Sequence, residues 1–345
     1  MRIAAALAGL LVAFASGIAG SESAAAQGDK PEMPKLRFAV GGKAGIFYLP
    51  LTATERLGYF KDAGLDMEII DLASGARALQ AVVGGSAEMA TGTFDHTVQM
   101  QGKGQPVIAV LQYGRFPGLV LATIASKNIN YSSARDLKGL KIGVTSPGSA
   151  THFMVAYMMV RSGLTATDAS FIGTGTTSTA VAGARRGEID AIVSSDPMLS
   201  LMQADGLVKI VADGRTAEGT LAIYGGPYPG GIVYASPSFI EKNPKTVQAV
   251  VNAFTRALVW LQKSSPEEIV KLMPPDYSMG NPAIYTAAIT ASKAMFTPDG
   301  RFVAGGAETA HRVLQVFDPS VAAAKIDLAA TATNRFLDAA NAAKK

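Results

Sequence analysis

The 345-residue chain contains no cysteine. This excludes disulfides, thiolate metal sites, a cysteine nucleophile and a lipid-modified cysteine behind a leader. Histidine is scarce: the three residues His96, His152 and His311 form no His-x-x-x-His or His-Glu pairing, so neither a metal nor another cofactor is expected. A net charge of +4 is slight for this length, and without a dense Lys/Arg cluster there is no footprint for nucleic acid. The glycines match neither Gly-x-Gly-x-x-Gly nor Gly-x-x-x-x-Gly-Lys-Ser/Thr, which leaves nucleotide phosphate binding without a motif. A Gly-x-Ser-x-Gly nucleophile elbow is also missing.

What is present is apolar residue in quantity, 48% of the chain, enough to fill the cores of two ordinary domains. The one long uncharged run, residues 3–18, follows Arg2 and precedes the small residues Ala24-Ala25-Ala26. That pattern reads as a secretory signal peptide over residues 1–26, cut after Ala26, and implies a soluble exported protein. An uncleaved anchor is the competing reading, disfavoured by Gly9, Ser16 and Gly17 within a run near the lower length limit for a span.

From Lys35 onward one grammar recurs: a short β-branched or alternating run, a turn of small residues, then a helical pattern. It is seen at Lys35–Val40 before Gly41-Gly42-Lys43-Ala44-Gly45, at Asp66–Leu72 before Ala73-Ser74-Gly75, and at Met89–Thr91 before Gly92-Thr93-Phe94-Asp95-His96. It restarts at Lys141–Thr145 before Ser146-Pro147-Gly148-Ser149, at Ser170–Ile172 before Gly173-Thr174-Gly175-Thr176, and at Ala191–Val193 before Ser194-Ser195-Asp196-Pro197. Such passages predict parallel strands joined by crossover helices, with every turn on one sheet edge, where ligands sit. Beyond Pro237 the pattern is helical, at Lys245–Leu261, Pro266–Met273, Asn281–Ala294, Ala307–Phe317 and Ile326–Ala340. The stripe Val247, Val251, Phe254, Leu258 and the lone Trp260 are expected in the core.

The turn before Ala150 opens a helix whose first amides lack intrahelical partners. Ser146, Ser149, Thr151 and the amides behind Gly148 therefore suit a polar or anionic ligand, and equally an ordinary capping turn. Asp95-His96 at a strand end suits ligand contact, loop structure or an acid–base pair, although no partner nucleophile accompanies it. Phe47, Tyr48, Phe94 and Tyr113 fall in or beside turns, where several aromatics on one edge make a flat, partly apolar pocket.

Several segments, in order, resemble those of solute-binding proteins that feed ABC importers in the nitrate, sulfonate, taurine and thiamine-pyrimidine-precursor group. They are Glu55–Glu68 (ERLGYFKDAGLDME), Ser74-Gly75, Gly84–Met89 (GGSAEM), Gly102–Pro106 (GKGQP), Asp136–Gly139 (DLKG), Ser149, Gly187–Ala191 (GEIDA) and Thr333-Asn334. The resemblance covers nearly everything after Lys35. It implies an α/β fold of the type II periplasmic binding protein kind: two lobes of parallel-rich sheets with crossover helices and a helical C-terminal tail. One lobe is placed at residues 35–116 plus 237–345 and the other at 117–236, with crossings near Tyr113–Leu119 and Tyr234–Phe239. It further implies a periplasmic, monomeric, non-enzymatic binder that closes on a small solute and hands it to a membrane permease. Ligand contacts are implied from Ser74, Gly75, Thr93, Ser149 with Thr151, and Asp196, joined by Thr176 from the neighbouring turn. Bulky Phe47-Tyr48 and Phe94-Asp95-His96 stand where a tiny oxyanion would call for smaller polar residues, a departure from the sulfonate binders that leaves the solute open among a sulfonate-like organic anion, a heteroaromatic of the pyrimidine kind and an amino-acid-like molecule. An exported or biosynthetic enzyme on the same scaffold, using Asp95 and His96, is the alternative.

Overall fold

The computed structural model describes residues 30–176 and 178–342; the expected leader, 1–26, lies outside them. Ten strands are found among the described residues: β1 (Lys35–Val40), β2 (Asp66–Asp71), β3 (Met89–Thr93), β4 (Ile108–Gln112), β5 (Val120–Ile124), β6 (Lys141–Val144), β7 (Ser170–Gly173), β8 (Ala191–Ser194), β9 (Val208–Asp213) and β10 (Gly231–Ala235). They form two five-stranded sheets, ordered β2-β1-β3-β10-β4 and β7-β6-β8-β5-β9. The crossover helices are α1 (Leu49–Arg56), α2 (Tyr59–Asp62), α3 (Gly75–Val83), α4 (Asp95–Gly102), α5 (Ala150–Arg161), α6 (Ser178–Arg185), α7 (Met198–Ala204) and α8 (Ala217–Tyr224).

Both sheets are mixed, with parallel pairs joined by crossover helices, in keeping with the parallel-rich expectation. In the first, β1 pairs in parallel with β2 and β3, whereas β10 is antiparallel to β3 and β4. In the second, β6 pairs in parallel with β7 and β8, and β5 runs antiparallel to β8 and β9. The reversed strand is in each case the first one laid down after the chain has crossed between sheets. It enters from the opposite direction and is slotted into the sheet interior. Because β9 belongs to the second sheet and β10 to the first, the chain returns between Asp213 and Gly231, upstream of the expected Tyr234–Phe239 segment.

The tail covers the first sheet. Helix Pro244–Lys263 presents Val247, Val251, Phe254 and Leu258, all fully buried at the expected helical spacing. Phe254 stacks on Tyr113 at 6.3 Å and meets Phe38 at 6.0 Å, so helix and sheet share one aromatic cluster. Trp260 is only half-buried at the margin of that core. The expected continuous helix over Ile326–Ala340 is interrupted. A 3-10 turn at Leu328–Thr331 ends in extended Ala332, which bridges Ala109 of β4 while the Thr333 amide donates to the Ala109 carbonyl, and Arg335–Ala342 resumes the helix. The exposed edge of β4 captures this backbone as a partial strand.

Candidate functional site

The turns that follow β1, β2 and β3 face those that follow β6, β7 and β8, and the two sets close on each other. The Ile46 amide donates to the Asp196 carbonyl at 2.9 Å, and the Ser146 hydroxyl donates to Ser74 Oγ at 2.9 Å. Gly42 sits at φ +98, and a Cβ on it would lie 2.4 Å from Thr176 Oγ1 of the opposite turn. Only a residue without a side chain permits both that backbone and that approach.

Between the turns lies an inner cavity of about 50 Å³, lined by Gly41, Phe47, Tyr48, Gly75, Thr93, His96, Leu119, Thr145, Ser149, Ala150, Thr151, Thr176 and Ser195. Tyr48, Thr176 and Ser195 also border an outer chamber of about 490 Å³, whose wall adds Asp71, Asp196, Asp276, Tyr277 and Met279. Of the fifteen residues singled out from sequence, Phe47, Tyr48, Gly75, Thr93, His96, Ser149, Thr151 and Thr176 line the inner cavity, and Asp196 lines the outer one.

His96 is fully buried in the first turn of α4, and neither ring nitrogen finds a hydrogen-bond partner among the described residues. Its ring stands edge-on to Phe153 of α5 at 6.1 Å, across the cleft. Burial lowers its pKa against the opposing Asp95 charge, and the Gly148 backbone approaches the ring without the geometry of a formed hydrogen bond, so the imidazole is held neutral. Gly75 leaves room beside it: a Cβ there would lie 3.5 Å from His96 Cε1 and 3.6 Å from the Tyr48 hydroxyl. Burial, reinforced by Asp71 and Asp95, raises the Tyr48 pKa and keeps it a phenol. The buried Tyr234 hydroxyl, also without a partner, lies near His96 Nδ1, both within 3.4 Å of where a Gly92 Cβ would stand.

Ser149 occupies the N-cap position of α5 but makes no side-chain capping bond; its hydroxyl instead pairs with Ser146 Oγ at 3.0 Å. Thr151 Oγ1 accepts from the Thr145 amide at 3.0 Å. Gly148, at φ +84, has open space where a Cβ would stand, and its amide donates to His152 Nδ1 at 3.2 Å. Among the described residues no cluster of His, Asp and Glu is arranged to hold a metal.

Ser74, Phe94, Asp95, Tyr113, Ser146 and Gly148 lie off the walls of these two chambers, and the carboxylate of Asp196 is turned to other partners. Asp95 is fully buried, with Oδ1 accepting from Thr93 Oγ1 at 2.6 Å and Oδ2 from the Tyr228 hydroxyl at 2.9 Å; it makes no bond to His96. Phe94 points to the opposite side of the sheet, 6.1 Å from Phe302, and borders a separate cavity of about 170 Å³ with Pro229 and Asn334. Tyr113 is buried beneath the site, bonded to Thr91 Oγ1 and 5.8 Å from the Phe47 ring. Ser74 caps α3 by accepting from the Arg77 amide, and with Ser146 forms the contact across the cleft. The Asp196 carboxylate is engaged by Ser200 and by Arg215 at 3.1 Å. Sequence reasoning missed Asp276, Tyr277 and Met279 altogether. Their only sequence signal is the turn-forming Pro274-Pro275 and Gly280 around them in the helical tail.

The sequence profile of the family described as NMT1/THI5 like matches residues 48–269. The chain belongs to that family. The solved structure of a Bordetella bronchiseptica protein is 45% identical, with a TM-score of 0.88 over 92% of this chain and 99% of that one. The alkanesulfonate-binding protein SsuA from Xanthomonas axonopodis pv. citri, solved with MOPS, is 18% identical with a TM-score of 0.67 over 89% and 99% of the two chains. A 4-amino-5-hydroxymethyl-2-methylpyrimidine phosphate synthase of Aspergillus parasiticus is 25% identical over 263 residues, 72% of each chain. The NMT1/THI5-like chain thus has the periplasmic-binding-protein fold expected from its segments, two α/β halves about a cleft. Among its described residues no helix is long and apolar enough to cross a membrane.

Proposed function

We propose that this chain is the solute-binding component of an ABC importer: an exported periplasmic monomer that closes on a small organic solute and presents it to a permease. The observation that carries the reading is His96, fully buried against the cleft with both nitrogens unpartnered. A buried imidazole without hydrogen bonds is costly, and a solute able to pair with it offsets that cost only in the closed form. Binding energy then drives hinge closure between a body of residues 35–116 plus 231–345 and one of residues 117–230.

A thermal-shift screen over sulfonates, heteroaromatics, amines and amino acids tests it. A cognate solute at a hundred times its Kd stabilises the protein by about 2.7 kcal/mol. A panel that moves no melting curve overturns the reading.

A second reading, an enzyme of pyrimidine-precursor synthesis, rests on the relatedness to the Aspergillus synthase. It needs a reaction that His96→Ala abolishes. The side chains give it little support, because both Asp95 oxygens are committed to Thr93 and Tyr228, so no Asp95–His96 dyad exists.

A further inference from the structure

The cleft is asymmetric in charge. Among the described residues neither chamber is lined by lysine or arginine; the inner one is lined by hydroxyl-bearing residues, aromatic rings and the neutral His96, and the outer one by three aspartates, the exposed Asp71 and Asp276 and the buried Asp196. Of these, Asp196 is neutralised by Arg215, which also binds Asp213. Asp71 Oδ1 accepts only the Gly42 and Lys43 amides, at 3.0 and 2.9 Å. Among the described residues Asp276 makes no salt bridge, and the Lys43 ammonium is paired with Glu55 at 2.5 Å. Tyr48, Thr176 and Ser195 belong to the walls of both chambers; the inner one, at about 50 Å³, has room for the hydrogen-bonding edge of a solute at His96 while its body lies in the outer chamber, toward Asp71 and Asp276.

We infer, building on the solute-binding reading, that the site selects a solute with an uncharged hydrogen-bonding ring at His96 and a cationic group in the outer chamber. A neutral imidazole carries one donor and one acceptor, and both orphan nitrogens are satisfied by a phenol-like or azine-like edge that can donate or accept. Phe47 and Tyr48 supply aromatic faces for the ring. An ammonium or amidinium then meets two exposed carboxylates at the outer chamber, an attraction that added salt screens. A sulfonate placed there meets the same carboxylates with no side-chain cation to compensate, which rejects it by repulsion.

Three probes with one head and three tails separate the possibilities at pH 7: tyramine (cationic), 2-(4-hydroxyphenyl)ethanol (neutral) and 3-(4-hydroxyphenyl)propanoate (anionic). Calorimetry on the full-length mature protein is expected to show tyramine binding at least tenfold tighter than the propanoate, with the neutral alcohol between them. The double change Asp71→Asn plus Asp276→Asn is expected to collapse that order to within about threefold, read as the ratio of affinities within the variant, and raised salt to narrow it in the parent protein. Propanoate binding as tightly as tyramine overturns the charge inference and leaves the solute-binding reading standing. A tyramine preference that persists in the double variant also overturns it. If none of the three binds, the inference falls. The wider thermal-shift panel then decides whether the solute-binding reading falls with it.

Discussion

Ser146 donates its hydroxyl hydrogen to Ser74 Oγ at 2.9 Å across the cleft, joining residues 72 positions apart in the chain. The same Ser146 hydroxyl pairs with Ser149 Oγ, so a chain of three serines runs from the first-sheet turn to the cavity wall. Closure and the shape of the inner cavity are therefore coupled through hydroxyls that have neutral partners.

Ser149→Ala separates a site residue from a cap. Because Ser149 makes no capping bond, the empty protein is expected to melt within about 0.5 kcal/mol of the parent. Solute affinity is expected to fall by about 0.5–1.5 kcal/mol, or about 1.5–3 if the solute group there is charged. Calorimetry and melting on the same sample check both, and lowered stability with unchanged affinity refutes the assignment.

Gly42→Ala is expected to hold the cleft open, since the new Cβ would meet Thr176 Oγ1. X-ray scattering should then give a larger radius of gyration than the parent under saturating solute, and affinity should drop. Thr176→Gly in the same chain is expected to restore closure, leaving only the cost, about 1–2 kcal/mol, of an L-residue in left-handed backbone. No recovery in the double variant means that Gly42 matters for its own backbone alone.

Asp95 and His96, adjacent in sequence, are expected to behave oppositely. Asp95→Ala strands the Thr93 and Tyr228 hydroxyls in a buried site and should cost about 1–3 kcal/mol of stability. His96→Phe removes two unpartnered nitrogens at similar size, so the empty protein should melt no lower than the parent while affinity is lost. Equal destabilisation by both changes contradicts the assignment of His96 to the solute.

Acidification should destabilise the protein through its histidines. Burial lowers the pKa of both His96 and His152 below the ordinary 6.5, so the unfolded chain binds protons that the folded one resists. Their contribution is complete above about pH 6.5 and is lost as pH falls from there toward the lowered folded values, at up to about 1.4 kcal/mol per pH unit for each proton. Denaturant titrations of the parent and of His96→Phe between pH 7.5 and 5 should diverge below pH 6.5. Parallel curves exclude His96 as a contributor.

Much of this was readable from local pattern. Strand, small-residue turn and helix recur, and a turn at the carboxyl end of a parallel strand is carried to the sheet edge by geometry alone. The turns that this pattern marks out carry Ser149, Thr151, Gly75, Thr93 and Thr176, all of which line the inner cavity, although Gly75 and Thr93 are singled out only through the family resemblance. The pattern does not resolve which way a side chain leaves a turn: Phe94 and His96 flank Asp95, yet one faces the back of the sheet and the other the cleft. Nor does it report distant partners, since the Tyr228 that engages Asp95 lies 133 residues away. The outer wall from Asp276 to Met279 was hidden because a helical tail was read as cover for a sheet, and periodicity within a helix does not reveal what its connecting loops approach.

The placement of β10 has a consequence for how the chain is made. Strand β4 reaches the rest of its sheet through β10, whereas every strand of the second sheet lies between Val120 and Asp213. During synthesis the amino-terminal half thus emerges first and is completed last. Its sheet stays incomplete, with β4 unpaired, until Gly231–Ala235 is available, whereas the nested second sheet needs no residue beyond Asp213. A nascent chain stopped before Gly231 would carry a finished second sheet and an unfinished first one, so the open edges of β3 and β4 are where a holding chaperone would find its substrate.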